Sequence, residues 1–242
     1  MEIRKIIENL LYLPLDMPNP PMHEVEIFDK IDVSNFYRDK FRTCWHVPLH
    51  TDHEEKGVYK WSALGNKAPE LKDWIEEYIF PMSGKDGHGG TRITILVTEP
   101  GYKNAPHIDC SPDWFHTLQH KFRYVLDGNV EDLKFLCANN VKLTPRDAGK
   151  PYMMNGKWPH EMLNTHTGKK FTLGIGSPWM PTYDCEKYRE LISRSYEKYS
   201  DYYLGNTNYE MVENWEELFE NYEKGIHKAM SDYWKKDKTK EF

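Results

Sequence analysis

TRITILVTEPGYKNAPHID, Thr91 to Asp109, is the stretch whose reading decides the fold. Its first half is a run of β-branched and aliphatic residues closed by the turn signal Pro100-Gly101, which predicts a strand and a turn. Its second half ends on His107 and Asp109, two positions apart behind Pro106. Residues i and i+2 of a strand point the same way, so both side chains can reach one metal ion. A His-x-Asp pair also arises by chance, and an ordinary polar strand end is the bland alternative.

Downstream the periodicity keeps to short strand-like runs: HKFRYVLDG, DLKFLCA, PYMMNG, HEMLNTH and KKFTLGIGS, separated by Gly, Asn, Asp and Pro. Short strands at such spacing predict an antiparallel sandwich or barrel between Gly89 and Trp179. Upstream, Leu13 to Val25 is proline-rich and is expected to lie extended over the surface. From Glu26 to Phe80, NFYRDKF and APELKDWIEEYIFPM read as helices, the second with Leu71, Trp74, Ile75 and Tyr78 at three- and four-residue spacings. Beyond Pro181 the chain turns helical and charged, with an apolar face through Met211, Trp215, Leu218, Phe219 and Tyr222.

The 242 residues allow one well-buried domain. A net charge of -6 disfavours the phosphate grip of a duplex-binding protein. Eight Trp and sixteen Tyr within a polar chain, mean hydropathy -0.79, suit a soluble protein with aromatic-lined clefts. The four cysteines, Cys44, Cys110, Cys137 and Cys185, form no CxxC, and the N-terminus lacks a signal-peptide pattern. Reduced thiols and a cytoplasmic setting are expected, with no membrane span.

A third ligand would complete the two-histidine, one-carboxylate face of non-haem Fe(II) oxygenases, which leaves positions open for cosubstrate and dioxygen. His160 in NGKWPHEMLN, 53 residues after His107, is the best candidate, and its Pro-His context repeats Pro106-His107. Ten residues further comes Lys170, with Thr172 at i+2 on the same strand face. A fixed cation beside a hydroxyl suits a distal carboxylate.

The ordered set PHID, WPH and Lys170-x-Thr172 resembles the Fe(II)- and 2-oxoglutarate-dependent dioxygenases, whose pattern is HxD…H…(R/K)x(S/T). The resemblance covers roughly Gly89 to Trp179. It implies His107, Asp109 and His160 as Fe(II) ligands, and Lys170 with Thr172 on the C5 carboxylate of 2-oxoglutarate. Lys in place of Arg resembles the prolyl 4-hydroxylase branch. EPGYKNAPH resembles the aspartyl/asparaginyl β-hydroxylase branch, which places an arginine where Arg123 stands and implies that Arg123 binds cosubstrate or substrate. Leu96 and Asp109 depart from that branch, so the resemblance is to the superfamily with no branch settled. The pattern is also similar to small oxygenases of marine bacteriophages. Related halogenases replace the carboxylate by Gly or Ala, so Asp109 implies hydroxylation or demethylation.

Other residues compete for these roles. His116, His120 and His166 lie near the ligands in sequence and compete for the metal; His120 and Lys121 are read as facing solvent, and His166, six past His160, is the alternative to it. Asn155 and Asn164 bracket His160 as orienting amides or turn formers. Trp114, Trp158 and Trp179 are cleft candidates, and the glycines before Arg92 suggest a loop beside the site.

The expected fold is mainly β with flanking α: a double-stranded β-helix (jelly-roll, cupin-like) core over 88–180, N-terminal α/β support with a helical layer over 1–87, and C-terminal helices over 181–242, all one oxygenase domain. The resemblance implies Fe(II), 2-oxoglutarate and O2, with ascorbate as reductant and succinate and CO2 as coproducts. The implied substrate is a prolyl or other residue of a protein or peptide, or a small amino-acid-like metabolite. A cupin-like metal-dependent isomerase or hydrolase, or a ligand-binding jelly roll, stays open, as does the oligomeric state.

Overall fold

Alternating apolar residues with both faces covered are what build the central strands here. In β5 (Ile93–Thr98), Ile93, Ile95 and Val97 are fully buried on one face, while Leu96 and Thr98 turn to a pocket on the other. The computed structural model describes residues 11–39, 44–52, 58–82, 91–109, 120–136, 149–156, 158–175 and 185–199. In chain order β5 is preceded by β1 (Tyr12–Pro14), α1 (Val25–Asp29), β2 (Tyr37–Asp39), β3 (Cys44–Asp52), β4 (Tyr59–Trp61) and α2 (Pro69–Tyr78). It is followed by β6 (Lys103–His107), β7 (His120–Asp127), β8 (Leu133–Phe135), β9 (Tyr152–Asn155), β10 (His160–Leu163), β11 (Lys170–Ile175) and α3 (Glu186–Lys198).

The strands form two antiparallel sheets. The larger runs β1-β9-β7-β11-β5-β3-β2, with β4 also on β3, and the smaller runs β6-β10-β8. From β5 to β11 successive strands alternate between the two sheets. That winding is a double-stranded β-helix, and it places both ends of the expected motif, β6 and β11, on opposite walls of one pocket.

The back of the larger sheet is closed by α2. Pro69 opens this helix at its first turn, where no backbone donor is needed, and Leu71, Trp74 and Ile75 are buried. Trp74 lies 6.0 Å, centroid to centroid, from Phe122 of β7. The buried carboxylate of Glu24 accepts from the backbone N–H of Glu70 and Leu71, at 3.3 and 2.7 Å, and so caps the helix from outside it. Helix α3 packs beside β1 and the turn that follows α2, with Tyr188 on Met153 of β9 and the backbone N–H of Asp16 donating to Ser195 Oγ at 2.8 Å.

Two expectations are corrected. Within NFYRDKF, Asn35 to Asp39 are not α-helical: a 3-10 turn at Val33–Asn35 leads into β2, because pairing with β3 outweighs local propensity. The proline-rich lead-in, Leu13 to Val25, starts extended but turns into α1 at its end, and Leu13, Leu15 and Met17 are buried, since β1 pairs with the edge of β9 and inherits its core face. Pro14 is tolerated there because an edge strand can spare a donor. The expected helices beyond Tyr199 lie outside the described residues. Among the described residues no helix is long and apolar enough to cross a membrane.

Candidate metal centre and its pocket

The cross-strand register of the smaller sheet brings the two histidines together. His107, last residue of β6, is paired directly with His160, first residue of β10, and their ring centroids are 4.3 Å apart. Asp109 sits just past the end of β6, where its backbone N–H donates to Gly156 O at 2.8 Å. This bond turns the carboxylate back to the rings: Asp109 Oδ1 is 3.4 Å from His107 Nε2, and Oδ2 is 3.6 Å from His160 Nε2. One donor atom from each residue lies within 4.8 Å of the others, and all three residues are buried.

The donor set fits a divalent transition ion. His160 Nδ1 lies 2.9 Å from the carbonyl oxygen of Trp158. A carbonyl only accepts, so Nδ1 carries the proton and Nε2 keeps its lone pair toward Asp109. Two imidazole nitrogens and one carboxylate on one side, with the rest of the pocket open, make the facial arrangement of non-haem iron sites.

Asp109 is compensated by a residue that sequence reading set aside. Lys121 does not face solvent: its Nζ is 2.9 Å from Asp109 Oδ2 and donates to the Asp109 carbonyl at 3.2 Å. Arg123, the next pocket-facing position of β7, is 3.9 Å from the same oxygen. Burial by itself would raise the Asp109 carboxyl, but the Lys121 charge, with the His107 and His160 rings beside it, holds it well below the usual carboxylate range. The signal was present in the alternation of β7. Phe122, Tyr124 and Leu126 are buried in the core, so Lys121 shares the face of Arg123.

Lys170 and Thr172 line the same pocket from β11, opposite the triad's sheet. Lys170 is 3 % exposed, and its ammonium donates to the carbonyl of Asn129 and to Asp132 Oδ2 at 3.3 Å. Burial lowers its pKa from the ordinary lysine value, against the raising effect of Asp132. Gly128 follows β7 with φ +116°, and a Cβ there would lie 2.7 Å from Lys170 Cγ, so glycine makes room for the lysine stem. Asn104 of β6 also lines the pocket, with its Oδ1 buried and lacking any hydrogen-bond partner. Cys44 and His46 of β3, likewise absent from the expected set, add a thiol and an imidazole 3.6 Å apart.

His166 does not join the triad. Its Nε2 is 3.8 Å from Asp127 Oδ1, and its backbone N–H donates to Asn164 Oδ1. Asn164 gives its amide to the carbonyls of Thr98 and Gly168, so it shapes the β10–β11 turn and leaves His160 to be oriented by the Trp158 carbonyl. Asn155 is buried at the end of β9, its backbone N–H donating to Leu11 O. Trp158 packs against the core. His116, Trp114, Trp179 and the glycine loop before Thr91 lie outside the described residues.

No family model matches the chain, and no curated protein matches it. Solved structures do. A prolyl hydroxylase from Trichoplax adhaerens, in complex with a hypoxia inducible factor oxygen degradation domain peptide fragment, is 13% identical over 72% of this chain and 86% of its own, with a TM-score of 0.47. A Pseudomonas putida prolyl-4-hydroxylase is 14% identical over 72% and 96%, with a TM-score of 0.40. An oxidoreductase of the 2OG-Fe(II) oxygenase family from Burkholderia pseudomallei is 12% identical over 63% and 76%, also at 0.40. At these scores the likenesses carry no weight for substrate or site.

Proposed function

We propose that this chain is an Fe(II)- and 2-oxoglutarate-dependent dioxygenase, a single domain that hydroxylates a prolyl or other residue of a protein or peptide, or a small amino-acid-like metabolite. The observation that carries the reading is the convergence of His107, Asp109 and His160 at one end of a pocket that Lys170 and Thr172 line from the facing sheet. When bound, Fe(II) supplies the dioxygen chemistry that couples decarboxylation of 2-oxoglutarate, to succinate and CO2, with oxidation of a substrate C–H bond.

The chain's own residues bind, orient and shield. His107, Asp109 and His160 hold the metal, His160 aimed by the Trp158 carbonyl and Asp109 steadied by Lys121. Lys170 and Thr172 take the distal carboxylate of the cosubstrate, and Arg123 stands beside the metal end, where a carboxylate of cosubstrate or substrate would meet it. Leu96, Leu133, Met154 and Met162 wall the space between and keep water from the reacting end. Ascorbate as reductant, the substrate class and a cytoplasmic setting rest on the sequence.

Calorimetric titration of 2-oxoglutarate into the Mn(II)-loaded protein tests the reading without turnover. Binding is expected for the wild type, loss of metal binding for His107→Ala and His160→Ala, and loss of 2-oxoglutarate binding with the metal retained for Lys170→Met. Undiminished 2-oxoglutarate binding by Lys170→Met would remove the carboxylate role of Lys170, and undiminished metal binding by the histidine variants would remove the centre.

A further inference from the structure

The deep end of the pocket holds a charge pair that carboxylate recognition alone does not require. Asp132 closes the 3-10 turn Val130–Asp132 between β7 and β8, and its side chain is 1 % exposed. It accepts from Thr165 Oγ1 at 2.5 Å, from the Thr165 backbone N–H at 3.2 Å and from Lys170 Nζ at 3.3 Å. Thr165 belongs to the β10–β11 turn, so one carboxylate ties both connections to the lysine. Of the three donors of the Lys170 ammonium, the Asn129 carbonyl takes one and Asp132 another, which leaves one for a ligand.

An enzyme that releases its coproduct leaves this ammonium without a ligand once per cycle. A buried ammonium with no counterion sheds its proton, and a neutral amine is a poor anchor for the next carboxylate. We propose that Asp132 is a positioning residue, the resident counterion that keeps Lys170 charged and aimed while the cosubstrate site is empty. The proposal rests on the reading of Lys170 as the cosubstrate's carboxylate anchor. The charged and titratable groups near the ammonium are Asp132 and Glu131 on the turn. Further along the pocket stand Cys44 and His46 on β3, Arg123 on β7 and the three metal-site residues.

The test counts protons. 2-Oxoglutarate is titrated into Mn(II)-loaded protein in buffers of different ionisation enthalpy, from neutral to mildly alkaline pH. Wild type is expected to take up no proton on binding and to hold a constant affinity. Asp132→Asn keeps an acceptor for Thr165 but no charge. It is expected to take up close to one proton and to lose affinity about tenfold per pH unit as Lys170 deprotonates in the empty site. Asp132→Glu restores the wild-type count. Adding Lys170→Arg to Asp132→Asn abolishes the uptake, because a guanidinium stays charged without a partner. Proton uptake by the wild type, which needs no variant to fold, overturns the proposal, and so does an Asp132→Asn protein that binds with no uptake. Failure of the underlying reading looks different: Lys170→Met would then bind 2-oxoglutarate as tightly as wild type.

Discussion

Replacing Lys121 by methionine keeps most of the stem's volume and removes the charge that faces Asp109. In the metal-free protein Lys121 Nζ stands 2.9 Å from a carboxylate that is 2 % exposed, while its own side chain is 18 % exposed. Breaking a fully buried pair by removing one partner costs about 3–5 kcal/mol. Here the lysine is only partly buried, Arg123 remains 3.9 Å away, and both histidine rings stand beside the carboxylate. The expected loss is therefore smaller, about 2 kcal/mol. A divalent ion reverses the balance, since metal and Lys121 compete for one carboxylate. Mn(II) at about a hundred times its Kd adds about 2.7 kcal/mol to a protein it binds only when folded. The variant, with tighter metal binding, should gain more than wild type at equal Mn(II). Urea unfolding with chelator and with Mn(II), for both proteins, measures each quantity. A metal-free variant within about 0.5 kcal/mol of wild type, the spread expected of a neutral surface change, would refute the pairing. An equal Mn(II) gain in both proteins would refute the competition.

Three further outcomes are expected. His50, buried with its Nδ1 2.7 Å from the Thr91 carbonyl and packed among Tyr59, Trp61 and Phe80, has its pKa lowered by burial from 6.5 to about 4. Its stabilising contribution is full above its unfolded value and is lost as pH falls from there through about 4. On the order of 3 kcal/mol should disappear across that window in wild type and be missing from the pH profile of His50→Leu, as read by urea midpoints. Gly128→Ala places a methyl against Lys170 Cγ at a left-handed φ, and should cost about 1–3 kcal/mol by thermal unfolding while weakening 2-oxoglutarate binding to the Mn(II) protein. Asn104→Leu removes a buried acceptor that has no partner, so stability should hold or rise by about 1 kcal/mol; cosubstrate binding should fall if the amide serves the ligand, and unchanged binding would assign Asn104 to packing.

Much of the core was legible because its strands carry their own signal. The runs read as strands in sequence become β5, β7, β8, β9, β10 and β11, and APELKDWIEEYIF becomes α2, where Pro69 and the spacing of Leu71, Trp74 and Ile75 agree with one helix. β3 was missed because its alternation is carried by Cys44, His46, Pro48 and His50, residues that resemble a loop until β5 pairs with them. The two candidate histidines were legible for a similar local reason, each following a proline at a strand terminus, and the register pairs them. Lys121 required only that its parity with Arg123, two residues on along one strand, be noticed. Asp132 had no such signal, since its partners Thr165 and Lys170 lie more than thirty residues away and meet it only through the crossing of the two sheets.

Succinate formation from 2-oxoglutarate under Fe(II), ascorbate and air, compared between the wild type and Asp109→Ala, tests the central claim most directly. The account predicts slow succinate release by the wild type even without prime substrate, and none by the variant. If neither protein forms succinate, and Mn(II) with 2-oxoglutarate does not raise the wild-type unfolding temperature, the oxygenase reading is contradicted and a non-redox cupin-like metal site takes its place.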